Sequence, residues 1–518
     1  MRTLIFGLLL LVTIAGFSQE RQVFVLNNEK TVGKNLVDNS EITGVEYVFP
    51  KRIHESFIDT TTGLLTVQLR GVRKQKWLDN KGDIVQYDTK NSRVLWNKKI
   101  FYESSYLQQF SKAMIYTVGN KSYCLDIYRG NDIWEVKNNI YFVDPVDYIG
   151  IGYKFKSSTG YSNILEGIDL TNGNVIWKRE LNREYGWNNL FYTNDSTLIV
   201  VAAGLHSVNI RTGKGWDYNA VTGKKDYTGT AIANAAGVGL GLLTGTFALS
   251  TGHDLIRELV SNTLTDSANI YFASKDELVR VDKQSGEIVW KSQFPDNTAG
   301  KSSIFMIDSM LYMINKGMAF MGNRQLAFGK PFIAAFDRQS GNQKFFSLLD
   351  VKDDPILYYK VKNKEFLLVF KNRIARYSME TGMLISERIF LTDHVGELLY
   401  FVGDQVYITD QNGELMSLYS DSAKVFVYTS KSKILAVDEE LNISRTIEFD
   451  ELSVYYIKTK DFKFFAKDKK TLVVDNTGKQ VAELDATSNA VLIGNILYDT
   501  QENSYIAIDL SPLLRQGS

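Results

Sequence analysis

Cys124 is the one cysteine in 518 residues, and it has only four histidines to work with: His54, His206, His253 and His394. A thiol nucleophile needs a base beside it, and none of these histidines stands in a recognisable nucleophile motif. Cys124 lies in Ser122-Tyr123-Cys124-Leu125-Asp126, which reads as a strand, so it is expected to be a small buried hydrophobe. A single cysteine excludes an intramolecular disulfide and cysteine-based zinc or iron–sulfur sites. The histidines show neither the two- nor the four-residue spacing that would bring two of them to one metal. Asp79-Asn80-Lys81-Gly82-Asp83 has some character of a calcium loop, but reads better as a hairpin turn. No glycine-rich segment follows a strand and opens a helix, so nothing supports nucleotide binding. The carboxylates are scattered through turns, and no glycosidase-type pair can be named among them. Lys and Arg total 59 against 59 Asp and Glu, which leaves no basic field for nucleic acid. No cofactor and no metal site is expected.

The elements that carry these residues repeat. A strand ends in an acid or amide, a short turn follows, and a second strand brings an aromatic residue. The phrase runs from Asp88 to Trp96 and from Asp126 to Trp134. It continues from Asp169 through Gly173 to Trp177, from Asn209 through Gly213 to Trp216, and from Asp282 through Gly286 to Trp290. Later copies run from Asp337 through Gly341 to Phe345 and from Ser378 through Gly382 to Ser386, with weaker echoes at Asp438, Asp475 and Asp509. Within this phrase Trp96, Trp134, Trp177 and Trp216 are 38, 43 and 39 residues apart, and the next step, to Trp290, is 74. A period near forty built of short strands is the mark of radial blade architectures, and the long step locates an insertion. The acid or amide can accept hydrogen bonds from the turn's own N–H groups. The glycine supplies a positive φ, and the indole can wedge between neighbouring blades. Thr197–Ala202, Asn269–Ser274 and Glu365–Phe370 are apolar on both faces and read as inner strands.

Asp169 to Trp177 and Asp282 to Trp290 resemble the tryptophan-docking repeat Ala-x-Asp-x-x-Thr-Gly-x-x-x-Trp of PQQ-type β-propellers, with Asn172 and Ser285 in the threonine position. That superfamily holds quinoprotein alcohol dehydrogenases and non-enzymatic, BamB-like periplasmic propellers. The resemblance covers nearly all of the chain after its leader, and it speaks for fold far more than for function. It implies an all-β propeller of about eight four-stranded blades, with seven as the alternative. Trp96, Trp134, Trp177, Trp216, Trp290, Asp169, Asp282, Gly173 and Gly286 would be its structural docking residues. An N-terminal strand at 22–26 is expected to close the ring against strands near 505–508. The dehydrogenase members require a vicinal cysteine pair, which one cysteine cannot supply. The favoured function is therefore a non-catalytic envelope scaffold for other envelope proteins. The alternative is a quinone- or carbohydrate-binding propeller, among them a degenerate quinoprotein dehydrogenase.

Two segments fall outside the repeat. Arg2, the apolar run Leu4–Ala15 and Gly16-Phe17-Ser18 form a secretory signal peptide over 1–18, leaving 19–518 as the propeller of an exported protein, periplasmic or outer-membrane-associated. Within an insertion at 220–265, between the fourth and fifth blades, no charge occurs from 227 to 252. Gly229, Ala233, Gly237, Gly241 and Gly245 there recur every fourth residue. On a helix this is a stripe of close approach, as in paired membrane helices, and implies membrane contact or self-association; a helical hairpin on the propeller surface and a loop are the other readings. Asp254–Val260 has apolar residues at helical spacing. A shorter excess at 316–331 carries Met318, Phe320, Met321 and Phe328, expected to fold beneath their own hairpin.

Overall fold

In the computed structural model, residues 23–514 are described apart from 226–254, 390–397 and a scatter of shorter stretches, most of them between 403 and 451. Four-stranded antiparallel meanders account for nearly all of it. The third shows the pattern. Asn138–Asp144, Ile149–Phe155, Tyr161–Asp169 and Val175–Glu180 pair in that order. The middle strands are flanked on both sides and buried on both faces, so Ile151, Tyr153, Leu165 and Ile168 are sealed from solvent. The fourth strand alternates exposed and buried residues, as a half-covered edge should.

Ten such units follow one another in the described residues: 52–101, 105–136, 138–180, 189–219, 264–293, 302–348, 358–389, 398–448, 452–484, and a last one made from both ends of the chain. In that last unit Val491–Ile493, Ile496–Gln501 and Ser504–Asp509 are completed by Glu41–Val48, with Gly44 opposite Ile508 and Val48 opposite Ser504. Closure thus falls to 41–48, not to the strand expected at 22–26. Leu26–Asn35 instead bridges Glu41–Val48 to Gln480–Leu484, which removes two free edges at once.

The sequence count of about eight, with seven as the alternative, is lower than ten for a definable reason. The weak echoes at Asp438, Asp475 and Asp509 each stand at the end of a third strand, just as Asp169 does. None has glycine four residues on or a tryptophan after it, and beyond Asp509 the chain enters the short helix Ser511–Leu514 while Glu41–Val48 supplies the fourth strand. The three segments read as inner strands are each the second strand of their unit, flanked on both sides. Hydrophobic clusters join adjacent units: Trp177 with Leu198, Val200 and Ile210, and Tyr312 and Ile314 with Phe366 and Leu368.

Candidate functional site

The turn residues act on two blades at once. Asp169 accepts from the backbone N–H and hydroxyl of Thr171 (2.8 and 2.6 Å) and from the Asn172 amide at 2.7 Å. Asp282 does the same with Gln284 and Ser285. These bonds hold both carboxyls below the usual carboxylate range. The ordered turn then receives the indole of the preceding blade. Trp96, Trp134, Trp177, Trp216 and Trp290 donate their ring N–H to the carbonyls of Ile127, Leu170, Ile210, Lys283 and Arg338, at 2.5–3.1 Å. Each acceptor is the residue directly after the turn's acid or amide.

The ring lies flat on the turn's glycine. A methyl group built on Gly173 would sit 2.8 Å from Trp134 Cγ, and Gly130, Gly213, Gly286 and Gly341 meet Trp96, Trp177, Trp216 and Trp290 in the same way. Phe345 takes the ring's place against Gly382. Gly173 and Gly286 also hold φ of +78° and +76°, so the position needs glycine twice over. One turn that receives no ring lacks the glycine. The Asp88 turn carries Ser92 at the same position with φ +50°, and the residue that would dock on it, Val45, is no aromatic. Sequence reading gave the ring and the φ; the floor role of the glycine was visible only as their coincidence.

The residues considered for chemistry are occupied otherwise. Cys124 pairs across the strand with Trp134 and is 2% exposed, and burial pushes its thiol up to about 11. His206 is buried between Asp217 Oδ1 (2.6 Å) and the Ala202 carbonyl (2.7 Å). His54 packs edge-on to Tyr102; burial first and the Arg70 charge second lower its pKa. His253 and His394 lie outside the described residues. Asp79–Asp83 is no turn: it belongs to the strand Trp77–Asp88, whose hairpin turn begins at Lys74 after Arg73 pairs with Trp77. Asp83 is taken by Lys51 and Lys99 at 2.6 and 2.5 Å. Among the described residues no group of His, Cys, Asp and Glu is arranged to hold a metal.

The two excess segments meet. Lys224–Lys225, Leu255–Arg257, Met318–Met321 and Arg324–Ala327 form an added four-stranded sheet. One half comes from the connection after a fourth strand and the other from the connection after a second strand. Even-numbered strands of a meander run the same way, so both leave the same face. Ile256, Leu259 and Ala319, with Phe328 against them, form its small core. Asn262 ties it to the sixth blade, donating to the Ile304 carbonyl and accepting from its N–H at 2.9 and 2.8 Å. The helical spacing of Asp254–Val260 is overturned here, because residues 255–257 pair as a strand with Met321 and Phe320. Met318 is buried, as expected of this hairpin. Gly229, Ala233, Gly237, Gly241 and Gly245 lie outside the described residues, as do residues 1–18, read from the sequence as a signal peptide.

Residues 77–292, from the first blade to the fourth strand of the fifth, match the family model described as outer membrane protein assembly factor BamB. Over those residues the chain is similar to β-propellers of the tryptophan-docking, PQQ-repeat class, and the same four-stranded antiparallel unit recurs through the rest of the described residues. No curated protein shows significant sequence similarity to it. Among solved structures, BamB from Moraxella catarrhalis aligns over 78% of this chain and 96% of its own at 11% identity, with a TM-score of 0.29. The C-terminal WD40 domain of Sif2 aligns over 77% and 95% at 8% identity and 0.31. Sqt1 of Saccharomyces cerevisiae aligns over 73% and 93% at 9% identity and 0.31.

Proposed function

We propose that the protein is an exported, non-catalytic propeller that docks other proteins of the cell envelope on the face bearing the added sheet. The observation that carries this reading is the convergence of the segments 220–265 and 316–331 on one face of the repeat, where they share an added sheet. A rigid disc with irregular additions on one side suits recognition of other macromolecules. The description of the matching family, an outer membrane assembly factor, supports the compartment and the absence of catalysis. Cys124, the one thiol, is buried with its pKa raised, which disfavours a thiolate nucleophile at that position. No helix among the described residues is long and apolar enough to cross a membrane, and any membrane contact or self-association is assigned to residues 227–252.

The experiment follows from the pairing of Lys225 with Leu255. These two can be joined by Asn-Gly in place of 226–254, because that dipeptide closes a two-residue hairpin. The tagged protein and this variant are cross-linked in their own envelope. The reading expects one defined envelope protein to be recovered with the parent and lost with the variant, while both remain folded. Equal recovery with the variant and with a second one lacking the hairpin tip 321–324, or dye-linked dehydrogenase turnover by the parent, would overturn it.

A further inference from the structure

Beside the added sheet, two lysines are brought together by the backbone. The Lys316 N–H donates to the Lys301 carbonyl at 2.8 Å, the Lys301 N–H donates to Met318 at 2.7 Å, and the Lys316 carbonyl accepts from Ile356 at 2.9 Å. Their side chains then diverge in circumstance. Lys301 meets Glu258 at 2.5 Å and lies 4.9 Å from the centre of the Phe320 ring. Lys316 lies 5.6 Å from the centre of the Tyr359 ring, which is stacked on Phe305 with 15° between the planes. It is half-buried, and no acid among the described residues pairs with it. Burial, and then the charge on Lys301, hold its ammonium below the ordinary lysine range.

A half-buried cation beside a second cation, whose acid is already engaged, is unfavourable when nothing neutralises it. A bound oxyanion would reverse that balance, since hydrogen bonds between ammonium and oxyanion are short and strong in such surroundings. We infer that Lys316 and Lys301 form a binding site for an oxyanion, a phosphate or a carboxylate, held against the Tyr359 ring. The site stands apart from the docking reading, because small anions probe it whether or not a partner protein is ever captured.

The test is calorimetric titration of the full mature chain with inorganic phosphate and, separately, with a tetraglutamate peptide. Saturable one-site binding of at least one probe is expected, weakened about tenfold or more by Lys316→Met and largely kept by Lys316→Arg. Lys330→Met, a change at an exposed lysine, should leave it unchanged, and circular dichroism checks that each variant is folded. Phosphate binding alone assigns a phosphorylated ligand, and peptide binding alone an acidic protein segment. If the parent binds neither probe saturably, or Lys316→Met binds as the parent does, the site does not exist.

Discussion

Arg388 donates to Asn442 Oδ1 at 2.9 Å and to the Leu441 carbonyl at 3.1 Å, and so spans the seam between the seventh and eighth blades. That seam has no indole: Ser386 holds the tryptophan slot, opposite Arg376. Arg388 stands two residues beyond the slot. Arg179 stands two beyond Trp177 and bonds in the same fashion to Ser207, Trp216 and Asp217 of the next blade. A guanidinium at this position braces a seam that already has its ring, and replaces the ring where it is missing.

Arg388→Ala should therefore destabilise the protein by about 1–2 kcal/mol, the usual worth of a charge-assisted hydrogen bond to neutral partners. Arg388→Lys should recover only part of this, because both bonds leave Nη1, at the far end of a planar guanidinium that the shorter, strongly hydrated ammonium does not reproduce. Urea midpoints of the three proteins decide it; an unchanged midpoint for the alanine variant would remove Arg388 from the account of the seam.

Gly173→Ala tests the floor under Trp134. The new methyl group meets the ring at 2.8 Å and the backbone is held at φ +78°. Left-handed strain of about 1–2 kcal/mol adds to an overpacking cost of about 1–3 kcal/mol. Trp134→Ala alone should cost about 3–5 kcal/mol. The double variant should lose less than the sum, since the clash disappears with the ring. Strict additivity in denaturation would mean that ring and glycine do not touch.

Asp266 governs part of the acid response. Burial pushes its carboxyl up, but N–H groups of Ala268 and Asn269, the Tyr271 hydroxyl and the Asn269 amide together hold it at about 2. The folded value is below the unfolded one, so the unfolded chain binds more protons between the two. The stabilisation is complete above the ordinary aspartate range near 4 and is lost as pH falls toward 2. Asp266→Asn should lower stability at pH 7 and flatten its decline between pH 4 and 2. Parallel loss in parent and variant across that window would contradict the assignment.

Cys124 should not react with a thiol reagent at pH 8 in the native protein, its thiol being buried and raised to about 11. One equivalent should react once urea unfolds the chain. Rapid labelling without denaturant would show that the strand carrying Cys124 opens readily.

Much of this was written in the residue order. The acid-to-tryptophan phrase locates third and fourth strands throughout, and Asp438, Asp475 and Asp509 mark the units that a search for tryptophan passes over. The replacement of an indole by Arg388 leaves no such trace, because a guanidinium reaching a carbonyl in another blade has no local signature. Nor does the pairing of Leu255–Arg257 with Met318–Met321: Leu255, Leu259 and Val260 fit a helical period, and only a hairpin some sixty residues away makes that segment a strand. Asp79–Asp83 misleads in the same way. Its glycine and acids look like a turn, yet Gly82 pairs with Arg70 on one side and Ile100 on the other, inside the first four-stranded unit.

The sheet shared by Glu41–Val48 and Ser504–Asp509 has a consequence for biogenesis. A chain made from its amino end can stack its early meanders while it is still being synthesised, but Glu41–Val48 has no lasting partner among them. It must wait for residues 504–509 to emerge. Contacts so remote in sequence form slowly, and the waiting edge offers an aggregation site in the interval. A chain that stops short of Ser504 would leave that edge permanently uncovered, however well the meanders between have packed.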